Sequence, residues 1–86
     1  EADVARCHLP ASRATLEHTL SQTRIAKRLA SHRGFPARDR EALLDAVQRI
    51  AALFNALGDQ VQSLEVNPLV VLNTGAGVVA LDAVIE

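Results

Sequence analysis

Apolar positions along this chain change their spacing twice. From Asp3 to Leu9 they alternate, with Ala5, Cys7 and Leu9 on one side and Val4, Arg6 and His8 on the other, which predicts a short strand with one exposed face. Pro10 closes that strand because it has no N–H to give a ladder. Ser12 then stands where its hydroxyl can accept an N–H left unpaired by a first helical turn. In the helix so begun, Leu16 and Leu20 share a face, and Ile25, Ala26 and Leu29 continue apolar. The phase slips between Ser21 and Thr23, so a break or kink is expected there.

The run Ser31-His32-Arg33-Gly34-Phe35-Pro36 predicts a loop, since Gly admits unusual backbone angles and Pro disfavours a helical residue before it. Beyond it, Asp39 is placed to cap a second helix. There Leu43, Val47, Ile50, Phe54 and Leu57 recur at spacings of four and three, the period of one helical face. Gly58 is the expected C-terminal stop. The stripe reads as core, with a dimer seam as the alternative.

From Val61 onward the period becomes two. Val70 to Leu72, Asn73 to Gly77 and Val78 to Leu81 read as strand, turn and strand. With residues 73–76 as a four-residue loop, Leu72 faces Gly77 and Asn67 falls opposite Asp82. Continuing that alternation puts Asn67, Leu69, Val71, Val78, Ala80 and Asp82 on one face and Val66, Val70, Leu72, Val79, Leu81 and Ile85 on the other. A sheet apolar on both sides expects cover on both. The second helix supplies one layer, and the first supplies the rest or packs elsewhere. The expected fold class is therefore α+β: a single domain over 1–86, with a small antiparallel or mixed sheet and a C-terminal hairpin packed by about two helices.

Composition narrows the setting. The 86 residues include no Met and open at Glu1 directly into Ala2-Asp3-Val4, which predicts a piece of a larger domain, inactive by itself. A formal net charge of −1 with both signs interspersed leaves no footprint for nucleic acid or an anionic membrane. The longest apolar run, Leu69 to Leu72, is far short of the roughly 20 residues that span a bilayer, and no signal segment opens the chain. A cytoplasmic protein is expected. One Cys forms no internal disulfide, and with Phe35 and Phe54 as the only aromatics the core must be aliphatic. No internal repeat or interdomain linker is visible.

The residues that could carry chemistry gather in the hairpin. Glu65 and Asn67 lie two apart on one strand and so project together, and the proposed register brings Asp82 beside Asn67. Two carboxylates and an amide carbonyl form a hard oxygen set that suits magnesium, which keeps some of its waters and binds alongside phosphate oxygens. The plainer reading puts Glu65 and Asp82 at strand ends in water and gives Asn67-Pro68 only a backbone role. Placement of Asn67 and Asp82 on an otherwise apolar face favours the first, because an unpartnered buried polar group costs roughly 1–3 kcal/mol. Cys7, His8, His18 and His32 have no zinc-like spacing, and Cys7 reads as a buried strand residue rather than a nucleophile.

The words Leu64-Glu65-Val66-Asn67-Pro68-Leu69-Val70-Val71 and Gly77-Val78-Val79-Ala80-Leu81-Asp82-Ala83 resemble the closing hairpin of the ATP-grasp domain in ADP-forming acyl-CoA synthetases, such as acetyl-CoA synthetase and the succinyl-CoA synthetase beta subunit. Arg33-Gly34-Phe35-Pro36-Ala37-Arg38-Asp39 is similar to that family's Arg-Gly-x-Pro-x-x-Asp, a resemblance that makes Arg33 a candidate for contact with a phosphate or acyl-CoA in the parent enzyme, against the commoner role of a solvated turn arginine. The resemblance covers most of 33–85 and implies a C-terminal portion of a larger ATP-grasp domain. It implies Asn67 and Asp82 as holders of the magnesium of ATP or ADP. It implies for Glu65 a catalytic contact with a phosphohistidine loop that carries phosphate between acyl-CoA and nucleotide sites. The reaction it implies is carboxylic acid, CoA and ATP giving acyl-CoA, ADP and phosphate. The partners it implies are the remainder of the ATP-grasp domain and a CoA-binding domain or subunit, with no cofactor held tightly by this segment alone.

Two positions depart from the family pattern: Ser63 stands where many relatives have an acid, and Ser31 where a Gly often precedes Arg-Gly. No phosphate-cradling Gly-rich loop or strand-borne Lys occurs among these residues. The alternatives are a degenerate ATP-grasp module regulating a protein acetyltransferase, motivated by Ser63, and a small module that forms a homodimer through its sheet or helix face.

Overall fold

Ser12 does what its position predicts: its Oγ accepts the N–H of Thr15 at 3.1 Å and opens α1, Arg13–Ser21. The structure is a computed structural model and describes residues 4–31 and 33–86. Asp3 and His32, parts of the predicted first strand and loop, lie outside the described residues.

The phase slip after α1 is a real break. Hydroxyls return to the helix's own carbonyls, Ser21 Oγ to His18 O at 2.5 Å and Thr23 Oγ1 to Leu20 O at 2.7 Å, in competition with helix propagation. The chain restarts as α2, Ile25–Leu29, so the single predicted helix is two. Asp39 caps α3, Arg40–Leu57, through Ala42 N–H. Gly58, at φ +54°, ends it by returning its N–H to Phe54 O, and a short 3-10 turn, Gly58–Gln60, follows.

Four three-residue strands complete the fold: β1 (Leu64–Val66), β2 (Leu69–Val71), β3 (Val78–Ala80) and β4 (Ala83–Ile85). β1 pairs with β4 and β2 with β3, both antiparallel. Leu64 faces Ile85, Val66 faces Ala83, Leu69 faces Ala80 and Val71 faces Val78. Every step back along one arm matches one step forward along the other, so both ladders belong to one ribbon in continuous register. The expected loop of 73–76 and the Leu72–Gly77 pairing are present, with Leu72 N–H donating to Gly77 O at 3.0 Å.

The ribbon's hydrogen bonding changes phase in its middle. Odd residues of the first arm bond across it near the base, Ser63 with Glu86 and Asn67 N–H to Asp82 O; even ones do so near the tip, where Leu81 N–H reaches Pro68 O at 3.1 Å. Pro68, which has no N–H, stands at the switch. In an antiparallel pair the residues that bond across share a face, so the exposed face changes parity at Asn67-Pro68. Burial follows the same rule: Leu64, Val66, Leu69 and Val71 are half-buried, whereas Glu65 and Val70 are exposed. This corrects the uniform alternation expected from sequence. Leu69 and Val71 turn to the helices, and Asn67 does not share their face.

All helical cover described lies on that one side. α1 packs on α3, and α3 approaches β2 and β3. The buried residues among those described are Leu16, Leu29 and Leu44, one from each helix. The predicted stripe of α3 is only half-buried; Leu43, Val47, Ile50 and Phe54 line an apolar cavity of about 670 Å³ shared with Leu64 of β1. Leu44, one position off the stripe, is the best-buried residue at 2 % exposure. The predicted strand before Pro10 is likewise corrected. Ala5 and Cys7 are half-covered, Cys7 less buried than expected, and Val4, Arg6 and His8 are exposed, but Leu9, predicted on the covered side, is exposed too, and no described residue supplies a ladder to 4–9.

Candidate functional site on the open face of the hairpin

The bare side of the ribbon is built by the phase switch. Glu65, Asn67 and Asp82 all belong to the set whose backbones face across the ribbon, so their side chains share the face that the helices leave open. All three are exposed. Asn67 and Asp82 stand opposite one another, joined by the Asn67 N–H to Asp82 O bond at 3.1 Å. Glu65 lies one hydrogen-bonded pair nearer the base, opposite Val84.

Exposure removes one reason given for the site and leaves another. Neither Asn67 nor Asp82 is buried, and no polar residue among those described is. Desolvation therefore does not require partners for them. What stands is the donor set: one amide oxygen and one carboxylate held at facing positions. Asp82 Oδ1 accepts the N–H of Ala83 at 2.8 Å, which fixes the carboxylate against its own strand. Oxygen donors in this number and exposure fit magnesium, whose remaining positions stay with water or phosphate.

Apolar side chains border these polar groups on the same face. Val70 and Val79, paired across the tip, are 37 % and 42 % exposed, Leu81 is 64 % exposed, and Val84 lies beside Glu65. An apolar strip next to a carboxylate and an amide suits a ligand with a flat apolar part and a charged part.

Sequence reasoning assigned Asp39 only a cap, and the structure gives it a second task. While Oδ1 accepts from Ala42, Oδ2 accepts the N–H groups of Gly75 at 3.1 Å and Gly77 at 2.8 Å. The main chain repeats the link: Asp39 N–H donates to Leu72 O at 2.7 Å, and Thr74 N–H to Ala37 O at 3.1 Å. Arg38 adds a bond to Asn73 Oδ1 at 2.8 Å. The hairpin tip is thus pinned to the start of α3, which positions the arm carrying Asp82. No local signal marks this, since the partners are more than thirty positions apart.

A family model described as an ATP-grasp domain matches residues 1–86. Among curated proteins none matches the chain. The crystal structure of PH1788 from Pyrococcus horikoshii Ot3 is similar in fold, with a TM-score of 0.87 at 22 % identity, over 98 % of this chain and 36 % of that one. The chain thus spans about a third of the length of the solved structure it matches.

Proposed function

The chain belongs to the ATP-grasp domain family, and from that premise we propose that it supplies the magnesium-holding hairpin of the nucleotide site in an ADP-forming acyl-CoA synthetase. The single observation that carries this reading is the facing pair Asn67 and Asp82 on the open side of the ribbon. Asn67 offers an amide oxygen and Asp82 a carboxylate to the magnesium of ATP or ADP. When bound, the ion supplies neutralising charge at the phosphate oxygens. The neighbouring apolar strip of Val70, Val79 and Leu81 offers contact to the uncharged part of the nucleotide.

Glu65 projects from the same face one pair nearer the ribbon base. In this reading it meets the segment that brings a phosphorylated histidine from the acyl-CoA site, and its carboxylate orients the imidazole by accepting a ring N–H. The partners are then the remainder of an ATP-grasp domain and a CoA-binding domain or subunit. The overall reaction joins a carboxylic acid to CoA at the expense of ATP, through an acyl phosphate.

Asp82→Ala in the complete ATP-grasp protein tests the assignment. Magnesium-dependent ATP affinity is expected to fall by no less than the roughly 10- to 100-fold typical of losing a supporting partner of a metal site. Unchanged affinity with the fold intact removes Asp82 from the site. Ser63 favours a second reading, in which the nucleotide module is regulatory: it sits opposite Glu86 at the ribbon base, where an acid would add charge to the open face. Robust acid- and CoA-dependent ATP turnover by the complete protein excludes that alternative.

A further inference from the structure

On the helix side of the ribbon, away from Asn67 and Asp82, a cavity of about 650 Å³ opens between α2, the 33–38 segment and β2. Its apolar walls include Leu29, Phe35, Leu69 and Val71. Its charged lining is Arg28, Arg33 and Arg38, and among the described residues no carboxylate lines it. We propose that this cavity is an oxyanion site for a phosphoryl group, independent of the magnesium pair.

Three observations converge on it. First, the charges are not neutralised from within. Arg38 gives one N–H to Asn73 Oδ1, a neutral acceptor, and neither Arg28 nor Arg33 has a side-chain hydrogen bond or ion pair among the described residues. Three arginines bordering one concave surface make its surroundings positive, and that field attracts an anion. Second, Arg33 has φ +49°, a left-handed conformation otherwise confined to glycines among the described residues, and Gly34 beside it has φ +84°. A non-glycine side chain held in that region marks a position whose geometry is imposed by its surroundings. Third, the three arginines come from different elements, α2, the turn and the approach to α3, so the fold, not a local charge run, brings them together.

The donor arithmetic selects the ligand class. Each guanidinium carries five N–H donors in a planar fork. A carboxylate offers two oxygens and one charge, whereas a phosphoryl group offers three terminal oxygens and a charge near −2. Three arginines are better satisfied by the latter, and the apolar walls leave room for an uncharged stem behind it. The site does not rest on the nucleotide reading, since its residues lie on the other face of the ribbon.

Pyrophosphate and inorganic phosphate, titrated into the complete protein in magnesium-free buffer with chelator, are the probes, and acetate at equal ionic strength is the comparison. Wild-type protein and Asp82→Asn are both expected to bind pyrophosphate, with amide shifts at Arg33, Leu69 and Val71. The double variant Arg28→Gln/Arg33→Gln is expected to weaken binding at least about tenfold, the scale of losing charge-assisted hydrogen bonds. Arg28→Lys/Arg33→Lys, which keeps the charge and the apolar stem, should fall between. No binding by wild type, equal binding by the glutamine double variant, acetate binding as tightly as pyrophosphate, or shifts confined to Asn67 and Asp82 would each overturn the site. Arg38 is left intact because its bond to Asn73 also supports the hairpin tip.

Discussion

Asp39 and Gly77 are joined by a hydrogen bond of 2.8 Å, from the Gly77 N–H to Asp39 Oδ2, which ties the hairpin tip to the N-terminus of α3. The same carboxylate caps the helix through its other oxygen. Asp39→Ala therefore removes two attachments at once. Its loss of thermal stability is expected to exceed that of Ser12→Ala, where an N-cap worth about 1 kcal/mol and an exposed contact with the Thr15 hydroxyl are lost. Thermal unfolding of the two variants side by side checks the order, and an equal or smaller effect at Asp39 means the tip is held by the main-chain bonds alone.

The Asp39 contacts also set an acid limit. The N–H groups of Ala42, Gly77 and Gly75 hold its carboxyl below the ordinary value of 3.8, against the opposing effect of partial desolvation. A folded-state value below the unfolded one means that the contribution is complete above the unfolded pKa and is lost as pH falls through the folded one. The window lies below about pH 4. Melting temperature measured from pH 6 to pH 2 should drop less steeply in Asp39→Asn than in wild type; parallel curves would show that Asp39 is not the group concerned.

Arg13 docks α1 on α3. Its guanidinium donates to Asp45 Oδ1 and Gln48 Oε1, each at 2.6 Å, and to Glu41 Oε1 at 3.0 Å. Because the carboxylates are exposed, salt screens the charged part of this contact and spares the Gln48 bond. A double-mutant cycle of Arg13→Met and Asp45→Asn should give a favourable coupling that shrinks as salt is raised. A coupling insensitive to salt would assign the contact to geometry rather than charge.

Leu44 and Leu43 are neighbours with different surroundings. Both border the cavity between α1 and α3, but Leu44 is 2 % exposed whereas Leu43 is only half-buried. Leu44→Ala is expected to cost about 2–5 kcal/mol and Leu43→Ala clearly less, because less of the Leu43 side chain is withdrawn from water. Chemical denaturation of both variants decides; the reverse order would mean that Leu43, not Leu44, is the better covered of the two in solution.

Gly58 isolates a backbone effect. At φ +54°, ψ −130° it lies where L-residues are strained, and an added Cβ would meet nothing within 4 Å. Gly58→Ala should cost about 1–3 kcal/mol through conformation alone. A neutral substitution would show that α3 ends differently in solution.

Much of this was legible in the chain because the signals are local. Ser12 and Asp39 cap, Gly58 stops, the Ser21–Thr23 slip breaks the first helix, and the loop of 73–76 fixes the register up to Asn67 and Asp82. What failed depended on a second partner. The 4–9 segment has the alternation of a strand without a strand beside it. The choice of Leu44 over the Leu43 stripe was set by where α1 docks, which depends on Arg13. The parity switch needed the missing N–H of Pro68 to be read as a change of face. Register put Glu65, Asn67 and Asp82 on one face, as the structure has them, whereas the burial expected of Asn67 and Asp82 is not met. Arg28 and Arg38 carry no local mark, as their neighbourhood exists only once α2 and β2 are packed.

The continuous register has a consequence for how this segment can vary. The turn of 73–76 acts as the zero point of a ruler whose divisions run unbroken to Ser63 and Glu86. A residue inserted or deleted there shifts every facing pair beyond it, including the one that sets Asn67 against Asp82. Length changes are therefore expected to accumulate before Arg13 or between α2 and α3 and to be purged from the hairpin tip, although the tip is exposed and, by surface position alone, would be the place to expect them.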